Sequence, residues 1–406
     1  MDPSAVSFAE PTPRARMLGL AAVIAASFGI GLFLGSLTPL ASLFLESQGV
    51  SARLIGLNGA MPSLAVLIAG PFLPRFVRRV GSARAMLAGL ALGAAAVLAM
   101  PVWPNLWAWF ALRFVMGFAL ALPWLISEAW INMAAPESRR ARIIGLYSAV
   151  LFAGMALGPL LIQATGTDSV IGFAVSAGAL ALAALPLIAA RRLAPGLPAA
   201  SGLRLGGVVR MAPAVAAAGL LGGASEMAFF ALLPVYGLRA GLSPDAALML
   251  LTVLMIGAIV LQVPLGWLAD RVDRHRLLLG MALAGAVATP LLGVVVTTPW
   301  LAWPLIFGLG GLVLGYYTVG LTLLGARFRG GELAVANAAI LMLYEGGAAL
   351  GPALAGTAMD LWPPHGYLLF FSLGALAYVG VALVDRGAGR GAGRETGRGT
   401  GKERSP

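Results

Sequence analysis

Uninterrupted apolar runs of about twenty residues recur from one end of this chain to the other, each long enough to cross a hydrocarbon core of roughly 30 Å as a helix. They are rich in Leu, Ala and Gly and lack the short alternating segments of a transmembrane barrel. The sequence therefore predicts an all-α membrane protein. Composition agrees, because only 11% of the 406 residues are charged, against about a quarter in a soluble domain.

The runs place twelve spans, at 17–45, 52–77, 84–101, 106–134, 141–164, 169–190, 210–238, 244–269, 276–296, 299–326, 332–359 and 366–384. Breaks fall where chain chemistry expects them: Pro101 and Pro104, Gly241-Leu-Ser243-Pro244, and Pro363-Pro364. The first run is too long for the apolar region of a cleaved signal peptide and is expected to be a retained helix. With both termini in the cytoplasm, 24 of the 27 basic residues fall on cytoplasmic segments; Arg53 and Arg239 lie outside and Arg113 lies within span four. That asymmetry is what the positive-inside rule requires, so the expected location is a bacterial cytoplasmic (inner) membrane. The net charge of +11 then follows from topology and does not imply nucleic acid.

There is no cysteine, and the two histidines, His275 and His365, fall in loops. No metal site, cofactor or catalytic constellation is expected, and the chain does not read as an enzyme. Five segments are expected: a cytoplasmic N-terminal stretch over 1–16, a six-helix bundle over 17–190, a linker over 191–209, a second bundle over 210–385, and a disordered Gly/Arg-rich tail over 386–406. The halves repeat. Gly154-Met-Ala-Leu-Gly158-Pro159 in span five returns as Gly347-Ala-Ala-Leu-Gly351-Pro352 in span eleven, an offset of 193 residues. Glycines spaced by four let membrane helices approach closely.

Between spans eight and nine the chain reads Gly266-Trp-Leu-Ala-Asp270-Arg271-Val-Asp273-Arg274-His-Arg276. This resembles the signature of the major facilitator superfamily, with Asp273 where the inner glycine would stand. A first copy, Gly70-Pro-Phe-Leu-Pro74-Arg75, is degraded, with Pro74 in place of the acid. The stretch Ser127-Glu128-Ala-Trp130-Ile-Asn132, followed by Arg139-Arg140-Ala141-Arg142, is similar to the YcaD-like branch, which would have Gly at Ala141. The resemblance implies two pseudo-symmetric six-helix bundles and a cytoplasmic gate built from Gly266, Asp270, Arg271, Arg274, Arg75, Glu128, Arg140 and Arg142. A carboxylate there can bond a neighbouring helix N-terminus, and arginines can pair with acids across the interface. Arg113-Phe-Val-Met-Gly117 matches the superfamily's buried-arginine motif, with snorkelling to the outer surface the competing reading. Gly154-x-x-x-Gly158-Pro159 resembles a motif associated with antiporters, although helix packing explains it equally well.

Two acids sit deep by residue count, Glu226 in span seven and Glu345 in span eleven, each roughly 20 Å from its cytoplasmic span start. A carboxylic acid in low dielectric favours its neutral form, so Glu226 and Glu345, with Arg113, are the proton-coupling candidates. Trp124, Tyr316, Tyr317, Asn58 and Gln262 are the substrate-cavity candidates. The expected function is a monomeric, proton-coupled carrier of a small amphipathic organic molecule, with protons and membrane lipid as its other partners and efflux favoured. An uncoupled uniporter, a lipid-like flippase, and a non-transporting assembly factor or sensor on the same fold are the alternatives.

Overall fold

A computed structural model describes residues 12–167, 170–196, 211–327 and 330–399. Among the described residues, twelve helices are long and apolar enough to cross a membrane. The first half holds α1 (Pro13–Ser47), α2 (Ala52–Ala69), the short α3 (Leu73–Val80), α4 (Ser82–Val102), α5 (Leu106–Ala134), α6 (Arg140–Thr165) and α7 (Val170–Ala189). The second holds α8 (Pro213–Arg239), α9 (Pro244–Arg271), α10 (Arg274–Val295), α11 (Pro299–Arg327), α12 (Gly330–Leu361) and α13 (Gly366–Gly399).

Two boundaries differ from expectation. Span two does not run to 77: α2 stops at Ala69, and α3 starts separately with Pro74 in its first turn. Pro71 and Pro74 lack the N–H groups that would carry one helix through. The α3 piece buries Leu73 and Val77 and leaves Arg75, Arg78 and Arg79 exposed. At the other end the backbone stays helical to Gly399, where composition predicts a disordered tail. A helix already nucleated in the membrane elongates at one bond per residue, and no proline intervenes over 386–399. Residues 1–11, 197–210 and 400–406, which include most of the expected N-terminal stretch and linker, lie outside the described residues.

The repeated glycine motif has the same use in both bundles. A Cβ at Gly154 or Gly158 of α6 would strike the α1 backbone at Phe28 and Gly35; one at Gly347 or Gly351 of α12 would strike the α8 backbone at Leu220 and Ala224. Gly31 and Gly35 of α1, and Gly223 of α8, return the contact. Packing of backbone on backbone therefore explains Gly154–Pro159 and Gly347–Pro352.

The bundles meet along α2 and α12. Gly56 faces the Pro352 carbonyl and Gly356 faces that of Ala52, while Gly59 meets Ala231 of α8. All three crossings lie in the half of the molecule remote from the arginine-rich loops.

Candidate functional site

The remote face is joined by charge. Glu46, at the end of α1, takes Nε of Arg239 at 2.7 Å and a second guanidinium nitrogen at 2.9 Å. Arg239, at the end of α8, also reaches Asp360 near the end of α12 at 3.1 Å. The Asp360 carboxylate then crosses between bundles and accepts from the backbone N–H groups of Ala52 (2.9 Å) and Arg53 (2.8 Å). These open α2, whose N-cap Ser51 makes no side-chain capping bond, so an acid from the second bundle caps a helix of the first. Gln163 of α6 adds a 2.8 Å bond to the Asp245 carbonyl of α9.

At the arginine-rich face the expected gate is apart. Asp270 is exposed and makes no hydrogen bond or ion pair among the described residues. Arg271 lies over the Trp267 ring at 3.6 Å. Gly266 has open space beside it. Arg274 bonds the carbonyls of Ala269 and Thr322, tying the α9–α10 turn to α11. Asp273, which replaces the motif's inner glycine, caps α10 through Arg276 N–H at 2.8 Å. Glu128 does not pair with Arg140 or Arg142; it accepts from Trp124 Nε1 at 2.9 Å, one turn back on its own helix. Arg142 is exposed, Arg140 Nε is buried without a partner among the described residues, and Arg75 is exposed. Among the described residues charge thus joins one face and not the other, the pattern expected of a conformer accessible from the arginine-rich side.

At mid-depth the acids come together. Glu226 accepts a hydrogen bond from the Tyr344 hydroxyl. Glu345, next to Tyr344 on α12, lies near Ser63 of α2 and within electrostatic reach of Glu226 and Glu128. Tyr317 packs at 5.0 Å from Tyr344. Glu128, Glu226, Glu345, Tyr317 and Tyr344 are half-buried, and Trp124 is 37% exposed. None of the three acids has a basic partner among the described residues.

Other candidates fall elsewhere. Tyr316 is buried on the far side of α11, with its hydroxyl toward the Met281 carbonyl and its ring near Tyr378, because the next residue along a helix is turned by about 100°. Gln262 accepts from Thr318 at 3.0 Å, joining α9 to α11 inside the second bundle. Asn58 and Arg113 are buried inside the first. Among the described residues no group of three or more His, Asp or Glu is placed to hold a metal ion. Sequence patterns missed Glu46, Arg239 and Asp360 as a set. A signal existed for two of them: Glu46 and Arg239 are opposite charges 193 residues apart, the offset of the internal repeat.

Comparison with known proteins follows this geometry. The family model described as Major Facilitator Superfamily matches residues 22–250 and 215–402. The uncharacterized MFS-type transporter YfkF of Bacillus subtilis (strain 168) is 26% identical over 360 residues, covering 86% of this chain and 90% of its own. The uncharacterized MFS-type transporter YcaD of Salmonella typhimurium is 22% identical over 358 residues, 87% of this chain and 91% of its own. A crystal structure of a D-xylose-proton symporter superposes with a TM-score of 0.70 at 16% identity, over 90% of this chain and 96% of that one.

Proposed function

Since the chain belongs to the Major Facilitator Superfamily, we propose that it is a proton-coupled secondary transporter that moves a small amphipathic organic molecule by alternating access, with the arginine-rich loops and both termini in the cytoplasm. The coupling rests on one observation above the rest: Glu226 and Glu345 lie within electrostatic reach of each other with no basic partner among the described residues, Glu226 bonded by Tyr344 of its own bundle and Glu345 near Ser63 of the opposite bundle. Ser63 and Glu345 belong to opposite bundles, so movement of the bundles shifts one relative to the other. It thereby changes the environment of two acids that repel each other when both are charged. A proton biases the cycle by binding the two conformers unequally. The name of the D-xylose-proton symporter, which shares the fold, is consistent with this coupling.

Trp124, Tyr317 and Tyr344 give the open side of this layer an aromatic wall with few polar groups, the usual composition of a small-molecule site. The Gly154 and Gly347 motifs act as packing devices and carry no information on direction. The arginine distribution supports the proposed orientation.

The test is Glu226→Gln in proteoliposomes, with cargo found by a ligand screen on the purified chain. The variant is expected to bind cargo and keep its melting temperature, yet to lose accumulation driven by a pH gradient. Gradient-driven accumulation at wild-type level in that variant removes Glu226 from the coupling step.

A further inference from the structure

We propose that Arg113 of α5 and Asn58 of α2 form a binding site for one small anion, a halide or a carboxylate group, inside the first bundle. The two helices begin on the same face of the protein and run parallel. They touch where the backbone of Pro62 blocks any side chain at Gly117. Arg113 stands four residues before Gly117 and Asn58 four residues before Pro62, which is about one turn back along the same contacting faces. That register places Arg113 and Asn58 at a similar depth on two contacting helices.

Both are sealed from solvent, with Arg113 3% and Asn58 1% exposed, so Arg113 does not snorkel. Each also carries an unsatisfied donor: Arg113 Nε and Asn58 Nδ2 are buried and meet no acceptor among the described residues. A guanidinium keeps its charge, and an isolated buried charge is strongly unfavourable in a membrane interior. The nearby acids are committed elsewhere. Glu345 lies near Ser63, five residues along α2 from Asn58 and so about 7.5 Å deeper, and Glu226 is held by Tyr344. The ion pairs among the described residues all belong to Arg239. Two donors of different geometry, a planar fork and an amide, are thus supplied from two contacting helices within one bundle. That arrangement suits a single anionic acceptor bound by charge-assisted hydrogen bonds. The site is separate from the Glu226–Glu345 layer and does not rest on proton coupling.

The experiment measures binding and not transport. The full chain in detergent micelles is titrated with sodium chloride or sodium acetate, replacing sodium isethionate at constant ionic strength, while melting temperature is followed. Wild type is expected to show a saturable rise of a few degrees with at least one of the two anions. Arg113→Gln abolishes it, and Asn58→Leu raises the half-saturating concentration several-fold. A response to chloride alone identifies an inorganic ion from solution as the occupant. A response to acetate identifies a carboxylate head group, as on an acidic cargo. Should Arg113→Gln fail to fold, Asn58→Leu and Arg113→Lys, which keeps the charge and loses the fork, decide the case. No saturable response in wild type, or a response that survives unchanged in the variants, overturns the proposal.

Discussion

The two faces of this transporter are closed by different kinds of residue. The arginine-rich face carries the family signature, yet in this conformer Asp270 has no bonded partner among the described residues and Arg271 rests on Trp267 of its own helix. The opposite face carries no signature, yet Glu46, Arg239 and Asp360 bind the two bundles together there. A signature can thus mark the closure of the state not occupied, while unmarked charges hold the one that is. The largest effect should come from the centre of that network. Arg239→Gln removes both ion pairs and leaves Glu46 and Asp360 facing each other. Their side chains are 18% and 28% exposed, so each lost pair is worth about 0.2–1 kcal/mol. With the new repulsion, the conformational equilibrium should move about tenfold toward opening on this face, the equivalent of roughly 1.4 kcal/mol. The chain has no native cysteine, so spin labels at Gln48→Cys and Ala240→Cys report the separation of α1 from α8 directly. An unchanged distance distribution would show that glycine-mediated packing of α2 on α12 holds the face without help from charge.

Asp360→Asn sharpens the same comparison by separating the cap from the ion pair. Asparagine keeps an acceptor for one N–H of α2 but loses the charge that faces the positive end of that helix. The loss is about 0.5–1 kcal/mol, a shift of a few-fold and smaller than that of Arg239→Gln. Its distinguishing mark is local: amide hydrogen exchange at Ala52 and Arg53 should accelerate, and should do so again in the Arg239→Gln background, where the pair is already gone. Exchange rates equal to wild type at both amides would mean that the capping bonds are unimportant to α2.

Much of this was legible along the chain, for definable reasons. Span lengths report bilayer thickness, so the twelve helices follow from apolar run length alone. The depth of Glu226 and Glu345 follows from rise per residue, and the Gly154 and Gly347 repeats announce close packing. Facing direction was not legible. Tyr316 and Tyr317 are neighbours, both in a helix apolar all round, and only the packing of α11 on α10 and α13 decides that Tyr317 meets Tyr344 while Tyr316 meets Tyr378. Glu128 looked close enough to the arginines of the next loop to pair with them, but Trp124 lies one turn back on the same helix and binds it first. Arg113 and Asn58 are brought to a similar depth on contacting helices only once Gly117 has docked on Pro62. The conformational state was never in the pattern, because one sequence must encode both closures.

That last point yields the smallest and most asymmetric effect. Asp270 makes no hydrogen bond or ion pair among the described residues in the present conformer, so Asp270→Asn should cost little here. In the opposite conformer, with the arginine-rich face closed, its carboxylate would face a neighbouring helix N-terminus, an interaction worth about 0.3–1 kcal/mol at an exposed site. Losing it should move the equilibrium two- to five-fold further toward the conformer described here, opposite in sign to Arg239→Gln. The same label pair on α1 and α8 should then report a narrower population of long distances, and the double variant Arg239→Gln/Asp270→Asn should lie between the singles, because the two sites are on opposite faces and share no partner. A widening of the Gln48–Ala240 distance on Asp270→Asn would instead mean that Asp270 stabilises the open arginine-rich face through contacts of its own bundle. The two faces would then no longer be alternatives secured by separate sets of charges.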